Sequence, residues 1–161
     1  MKRTKGITHA AIIAALYVVL TYLANLFGLS SGAVQVRISE ALTVLPFFTP
    51  AAIPGLTIGC LVANIVTGSL PWDIVFGSLA TLLGAVGTYL LRKKSHYLAP
   101  LPPIIANTLI VPVVLAKVYG EGTPIPLLAA SVFAGELISC GVLGMLLLIS
   151  LNRSKNNLFK R

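Results

Sequence analysis

This chain carries almost no charge along its apolar stretches, which limits the folds that it can adopt. Between Gly6 and Leu91 the sequence carries only three formal charges, Arg37, Glu40 and Asp73. The 161 residues are 57% hydrophobic and 10% charged, against about 25% charged in an average soluble domain. The apolar stretches have the length of helices rather than of barrel strands. The sequence therefore predicts an all-α integral membrane protein.

Five apolar segments are long enough to be recognised directly as membrane helices, at residues 7–29, 53–69, 74–91, 103–118 and 127–151. The first follows MKRTK, as the apolar part of a signal peptide would. It lacks a small-residue cleavage site and is followed by further spans, so we interpret it as a retained helix.

A sixth crossing is predicted from the distribution of basic residues. They form clusters at the N terminus, at Arg92 to Lys94 and at the C terminus. Cytoplasmic loops are enriched in Lys and Arg, so an even number of crossings should separate successive clusters. Only three long spans precede Arg92, and residues 38–52 are the candidate for the fourth. This short segment contains Pro46, so we expect it to be tilted or irregular and surrounded by protein.

The predicted architecture is a single-domain bundle of six transmembrane helices in the plasma membrane, with both termini in the cytoplasm. The net charge of +8 is then explained by cytoplasmic clusters and requires no nucleic-acid partner. The same topology gathers the acidic residues in the outer half of the membrane, where a binding site is expected. These residues are Glu40, Asp73, Glu121 and Glu136.

Three polar residues inside apolar segments are candidates for that site. A carboxylate such as Glu136 within a span costs about 2.5 to 3.5 kcal/mol, so it should have a partner or a ligand. Asn64 and Asn107 can each donate and accept, and bonding between helices explains either one alone. Together with Glu136 they are typical of the few convergent polar groups of a ligand cavity.

Residues near the outer helix ends allow two interpretations each. Asp73 can cap a helix and Trp72 can lie in the interfacial belt, or the two can form a stacking ring beside a carboxylate at a pocket mouth. Arg37 and Glu40, three residues apart, can form an ion pair at the mouth of the bundle. Nothing in their spacing decides between structure and function.

Several chemistries lack their motifs. Cys60 and Cys140 lie in apolar segments without metal-ligand spacing, so we predict packing roles and no metal site. No P-loop or nucleophile-elbow motif is present. We therefore predict that the chain is not an enzyme and binds no cofactor. If ATP drives transport, another subunit must hydrolyse it.

Three stretches resemble one known family. They are VRISEALTVLPFFTPAAIPGLTIGCLVANI, PWDIVFGSLATLLGA and PLPPIIANTLIVPVVL, within about residues 8–145. RISEAL and FFTPAAIPGL are similar to the queuosine-precursor transporter (QueT) family, substrate-binding S components of energy-coupling factor (ECF) transporters. The resemblance implies capture of a 7-deazaguanine such as 7-aminomethyl-7-deazaguanine. It also implies a transmembrane T component and two ATP-binding-cassette ATPases as partners.

Helix one carries two small-xxx-small pairs, Ala10 with Ala14 and Ala11 with Ala15. Such pairs allow another helix to approach closely, either within the bundle or from a partner. The resemblance implies that an alanine face docks on the T component, and both frames remain open.

The chemistry of the ligand suggests roles for these residues. We expect Glu136 or Glu40 to accept from the base edge and Asp73 or Glu121 to bind the aminomethyl group. Asn64 and Asn107 would supply the remaining polar contacts, and Trp72 would stack on the ring. The alternatives are an S component for another small metabolite, a stand-alone proton-coupled carrier using Glu136, and a membrane enzyme.

Overall fold

The computed structural model describes residues 2–29, 36–119 and 122–158. Within these ranges the chain is helical and contains no strand. Glu121, one of the predicted ligand-binding residues, lies outside the described residues.

Six α-helices follow one another, with irregular helical turns between some of them. They are α1 (Lys2–Leu26), α2 (Ala52–Val66), α3 (Pro71–Leu91), α4 (Leu101–Val114), α5 (Ile125–Glu136) and α6 (Met145–Leu158). A 3-10 helix, Ile38–Phe47, precedes α2 and is called the 3-10 segment below. One π segment, Leu115–Tyr119, extends α4, and another, Leu137–Gly144, joins α5 to α6. Together, α5, the π segment Leu137–Gly144 and α6 form one continuous helix, called the C-terminal helix below.

The helix lengths support a membrane protein that crosses the bilayer several times. Four stretches are long and apolar enough to span: Thr4–Leu26, Pro71–Leu91, His96–Lys117 and Ile125–Ser154. The 3-10 segment and α2 are shorter apolar helices. At about 2.0 and 1.5 Å per residue they extend roughly 20 and 22 Å, less than the hydrocarbon thickness of about 30 Å. The all-α membrane fold is confirmed, and the number of six crossings stays a prediction.

Glycines bring neighbouring helices into backbone contact. A side-chain carbon on Gly59 of α2 would lie 3.0 Å from Ala14 Cα, and one on Gly55 would lie 2.7 Å from the Ala10 carbonyl oxygen. The same close approach joins α3 to α4, where a carbon on Gly84 would lie 2.7 Å from Pro103 Cα. Small residues allow such packing in lipid, where no hydrophobic force draws helices together.

The 3-10 segment lies in the middle of the bundle. It contacts α1, α2, α3 and the C-terminal helix, and seven of its ten residues are buried. At its end, Phe47 and Phe48 pack against a cluster that includes Ala99 and Leu148. Protein therefore surrounds the irregular backbone, as membrane-embedded segments of this kind require. A 3-10 run of this length is uncommon, and it presents Glu40 to the other helices.

Candidate functional site: a buried polar cluster

Glu40 on the 3-10 segment turns its carboxylate into the bundle. Its Oε1 accepts a hydrogen bond from the hydroxyl of Tyr17 on α1. Its Oε2 lies 3.5 Å from Nδ2 of Asn107 on α4. Glu40 is only 1% exposed, and Tyr17 is equally buried. Both oxygens of this carboxylate are therefore held by side chains from other helices.

Glu136 reaches the same place from the C-terminal helix. Asn107 Nδ2 donates to Glu136 Oε1 over 3.1 Å, so one amide group lies between the two carboxylates. The thiol of Cys140 donates to Glu136 Oε2 over 3.0 Å. Thr43 Oγ1 lies 3.3 Å from the Cys140 sulfur. Three separate parts of the chain thus meet at Glu40, Asn107 and Glu136.

The irregular backbone explains how both carboxylates reach this point. Glu40 lies in the first turn of the 3-10 segment, and Glu136 ends α5 where the π segment begins. These two elements pack directly against each other. Helical segments that depart from α geometry are frequent at functional sites, because they redirect side chains that a regular helix would point elsewhere.

One possible metal-ligand atom from each of Glu40, Glu136 and Cys140 lies within 4.8 Å of the other two, close enough to hold a metal ion. Both oxygens of Glu136 already accept hydrogen bonds from the protein. Two ionised carboxylates this close repel each other in a low-dielectric interior. A proton or a cationic group that joins them is therefore favoured. The arrangement suits a basic group of a small ligand as well as it suits a metal ion.

A second polar group adjoins the first through Tyr17. Cys60 of α2 packs in the same buried cluster as Tyr17, and Asn64 Nδ2 lies 3.6 Å from the Cys60 sulfur. A carbon on Gly77 of α3 would lie 3.2 Å from Asn64 Nδ2 and 3.6 Å from Asp73 Oδ1. The missing side chain at Gly77 therefore lets the Asn64 amide pack closely against α3, next to the Asp73 carboxylate, and both groups are buried.

Arg37 lies within electrostatic range of the carboxylates of Asp73 and Glu40. It is only partly exposed. The carboxylate oxygens of Glu40 contact Tyr17 and Asn107, as described above. The ion pair of Arg37 and Glu40 at the mouth stays a prediction, and Asp73 belongs to the same set of charges.

Trp72 is the predicted site residue that the structure places elsewhere. Its side chain is 61% exposed, and its ring stacks on Phe76 with centroids 6.0 Å apart. The adjacent Asp73 is buried at 4% exposure. Consecutive residues on a helix point about 100° apart, so one turns outward while the other turns in. The aromatic side chain that the bundle does bring to the cluster is Tyr17.

The structure distinguishes the two alanine pairs of α1. Ala10 and Ala14 lie against Gly55 and Gly59 of α2, as described above. Ala11 and Ala15 are exposed, on a face that also carries exposed apolar residues such as Ile7 and Tyr22. Only the second pair is free of α2.

Comparisons with known proteins agree with this architecture. The profile of the QueT transporter family matches residues 7–153, which is most of the chain. The chain belongs to the QueT transporter family. A curated relative, the queuosine precursor transporter QueT of Lactococcus lactis subsp. cremoris (strain MG1363), is 42% identical over 86 residues. That match covers 52% of this chain and 50% of the relative, so it spans about half of each. No solved structure matches the chain.

Membership of the QueT transporter family, together with the long apolar helices, identifies a multi-pass membrane protein. Sequence reasoning found five residues of the two buried polar groups, because polar side chains are conspicuous in apolar helices: Glu40, Asn64, Asp73, Asn107 and Glu136. It missed Tyr17, Thr43 and a polar role for Cys140. Cys140 follows Glu136 by four residues, so the spacing that puts both on one helix face was visible. Tyr17 offered no such signal, since aromatic residues are common in membrane helices.

Proposed function

We propose that this chain is the substrate-binding S component of an ECF importer. Its ligand in this proposal is a queuosine precursor, a 7-deazaguanine such as 7-aminomethyl-7-deazaguanine. The family match and the name of the Lactococcus lactis relative, a queuosine precursor transporter, support the ligand class. On this proposal the chain binds and delivers a molecule and carries out no chemical reaction.

The convergence of Glu40, Asn107 and Glu136 carries the proposal. Each comes from a different element, and each is at most 7% exposed. Burying carboxylates in a membrane protein is costly, which makes a functional role the default interpretation. A 7-deazaguanine offers N–H donors along its base edge and, with the aminomethyl arm, a cation. Carboxylate and amide groups are the partners such a ligand needs.

The geometry suggests how the roles are divided. Glu136 or Glu40 would accept from the base edge, with Asn107 beside them. Asp73 would bind the aminomethyl group near Asn64, and Glu121 stays the alternative for that role. Trp72 points away from these groups, so stacking by Trp72 has no support from its position. Tyr17 instead would hold Glu40 in the orientation that meets the ligand.

Ligand binding to the purified protein tests this site. We expect Glu136→Gln and Asn107→Ala to weaken binding of 7-aminomethyl-7-deazaguanine about 10- to 100-fold, since each removes a hydrogen bond that involves a charged group. Isothermal titration calorimetry measures the affinity. A 7-deazaguanine without the aminomethyl arm, titrated against Asp73→Asn and the unchanged protein, shows which carboxylate contacts the arm.

Asn25→Ala is the matched control, because Asn25 is an exposed amide near the end of α1. It should bind the ligand as the unchanged protein does. If Glu136→Gln and Asn107→Ala also bind normally while remaining folded, the proposed site is wrong. If no 7-deazaguanine binds but a different small metabolite stabilises the protein in a thermal-shift screen, the chain is an S component for that metabolite.

A proton-coupled carrier that works alone is the second candidate. The approach of the Glu40 and Glu136 carboxylates favours it, because such a pair can bind either a proton or a cationic substrate. Uptake in cells that lack the T component and both ATPases separates the two functions. An S component should transport nothing there, whereas the carrier would continue to transport.

A further inference from the structure

An apolar groove opens between α3 and α4, near the end of α4 that leads to Lys117. It has a volume of about 690 Å³. Six apolar or aromatic side chains and one lysine line it: Trp72, Phe76, Leu109, Ile110, Val113, Val114 and Lys117. Asn107 turns inward from the same helix and is not part of it. None of Glu40, Asn107 and Glu136 lines the groove.

The shape of the groove follows from how the two helices pack. Near the basic cluster at Arg92, α3 and α4 are in backbone contact, with Gly87 against Pro102 and Gly84 against Pro103. At the other end the rings of Trp72 and Phe76 stack on each other and line the groove. Pro112 lies within α4 there, and the helix continues in π geometry. The groove forms beyond the stretch in which Gly84 and Gly87 bring α3 and α4 together.

The groove has one polar feature, and it lies at the rim. Lys117 is exposed near the end of α4, beside a pocket whose other walls are apolar. With Arg37, it is one of only two basic residues outside the three basic clusters of the chain. Lys side chains near the ends of membrane helices extend toward the headgroup region, where they meet phosphate. Trp72 is suited to the same depth.

We propose that the groove binds an anionic phospholipid, with an acyl chain against Phe76, Leu109 and Val113 and the phosphate against Lys117. An apolar trough open to the bilayer with a cation at one end matches a molecule with a hydrocarbon chain and a negative headgroup. A protein partner would more usually be met by several polar groups at the rim. This proposal does not depend on the transported substrate.

Trp72 makes the proposal directly measurable, because it is the only tryptophan in the chain. The purified full-length protein is reconstituted in phosphatidylcholine nanodiscs that contain a small fraction of lipid with brominated acyl chains. Bromine quenches tryptophan on contact. We expect brominated phosphatidylglycerol to quench Trp72 at about fivefold lower mole fraction than brominated phosphatidylcholine, the size of effect that one lysine near an anionic lipid supplies.

Lys117→Gln should remove this preference, and the matched variant Lys94→Gln should keep it, since Lys94 is exposed at the opposite end of α3. Should Lys117→Gln fold poorly, high salt should abolish the preference in the unchanged protein. Val113→Phe should reduce quenching by both lipids by filling the groove. Equal quenching by both lipids, or a preference that survives Lys117→Gln and high salt, overturns the role of the headgroup. No quenching by either lipid shows that something other than lipid covers the groove.

Discussion

Asn107 is the residue that allows two carboxylates to share the core of this bundle. Its single amide nitrogen donates to Glu136 and lies within reach of Glu40. Tyr17 and Cys140 satisfy the remaining oxygens. A buried acceptor left without its donor costs about 1 to 3 kcal/mol. Each donor of the cluster, Tyr17, Asn107 and Cys140, therefore stabilises the fold by satisfying a buried carboxylate oxygen.

Tyr17→Phe tests this dependence at one atom. The substitution keeps the ring and removes the hydroxyl that donates to Glu40, so we expect a loss of about 1 to 3 kcal/mol of stability and a lower melting temperature. Tyr22→Phe is the control, because Tyr22 on the same helix is 50% exposed. Thermal unfolding of the two variants in one detergent provides the comparison. Equal melting temperatures would mean that the Tyr17 hydroxyl contributes nothing to the fold.

Among the elements, the 3-10 segment has the most unusual role. In lipid, backbone that departs from the α-helix is tolerated only where protein or water surrounds it. Ser39, Thr43 and Val44 are fully buried, and Thr21 of α1 donates to Ser39 Oγ over 2.7 Å. Contacts with α1, α2, α3 and the C-terminal helix surround this segment with protein. The segment in turn places Glu40 among these four elements.

The α1–α2 contact predicts a difference between two glycines. A side-chain carbon on Gly59 would lie 2.9 Å from Tyr17 Cβ, whereas one on Gly141 would meet only the end of Leu137 at 3.9 Å. Gly59→Ala should therefore lower the melting temperature. Gly141→Ala should leave it unchanged or raise it, since alanine favours a helix by about 1 kcal/mol over glycine. If both variants melt alike, α1 and α2 do not approach as closely as described.

The outward face of α1 predicts a separation of binding from uptake. Ala11 is exposed and Ala14 packs on α2, so Ala11→Leu should leave stability and ligand binding unchanged, whereas Ala14→Leu should destabilise the bundle. If the exposed face docks on a T component, Ala11→Leu should also abolish uptake in cells that contain the whole transporter. Normal uptake by a stable Ala11→Leu protein would argue against docking through this face.

At the scale of the whole molecule, the number of crossings depends on how deep in the membrane the turn between the 3-10 segment and α2 lies. Both arms are shorter than the hydrocarbon thickness, yet Phe47 and Phe48 pack beside Ala99 and Leu148. Ala99 follows the basic cluster that the positive-inside pattern assigns to the cytoplasm. Contact with these residues is what supports two full crossings at residues 38–66 rather than a hairpin that enters and leaves on one side.

Thr49→Cys tests the six-span topology. We expect a membrane-impermeant maleimide to label it in inside-out vesicles and not in intact cells. Ser95→Cys should behave in the same way, and Ser69→Cys should show the opposite pattern. The unchanged protein is the blank, because Cys60 and Cys140 are buried. A Thr49→Cys protein that resists labelling from both sides would place this turn within the membrane and leave four full crossings.

The sequence alone was sufficient for the membrane class, for the approximate position of each helix and for the choice of Glu40, Asn107 and Glu136 as candidate site residues. The physical reason is that a polar side chain in hydrocarbon is costly whatever its neighbours are. Tertiary packing determines that Tyr17 and Cys140 join them, that Trp72 turns outward, and that Ala11 and Ala15 are exposed. Helices in lipid are apolar on every side, so their sequence carries little of the periodic pattern that reveals the buried face of a helix in water. Which face turns inward depends on close packing between helices far apart in the chain.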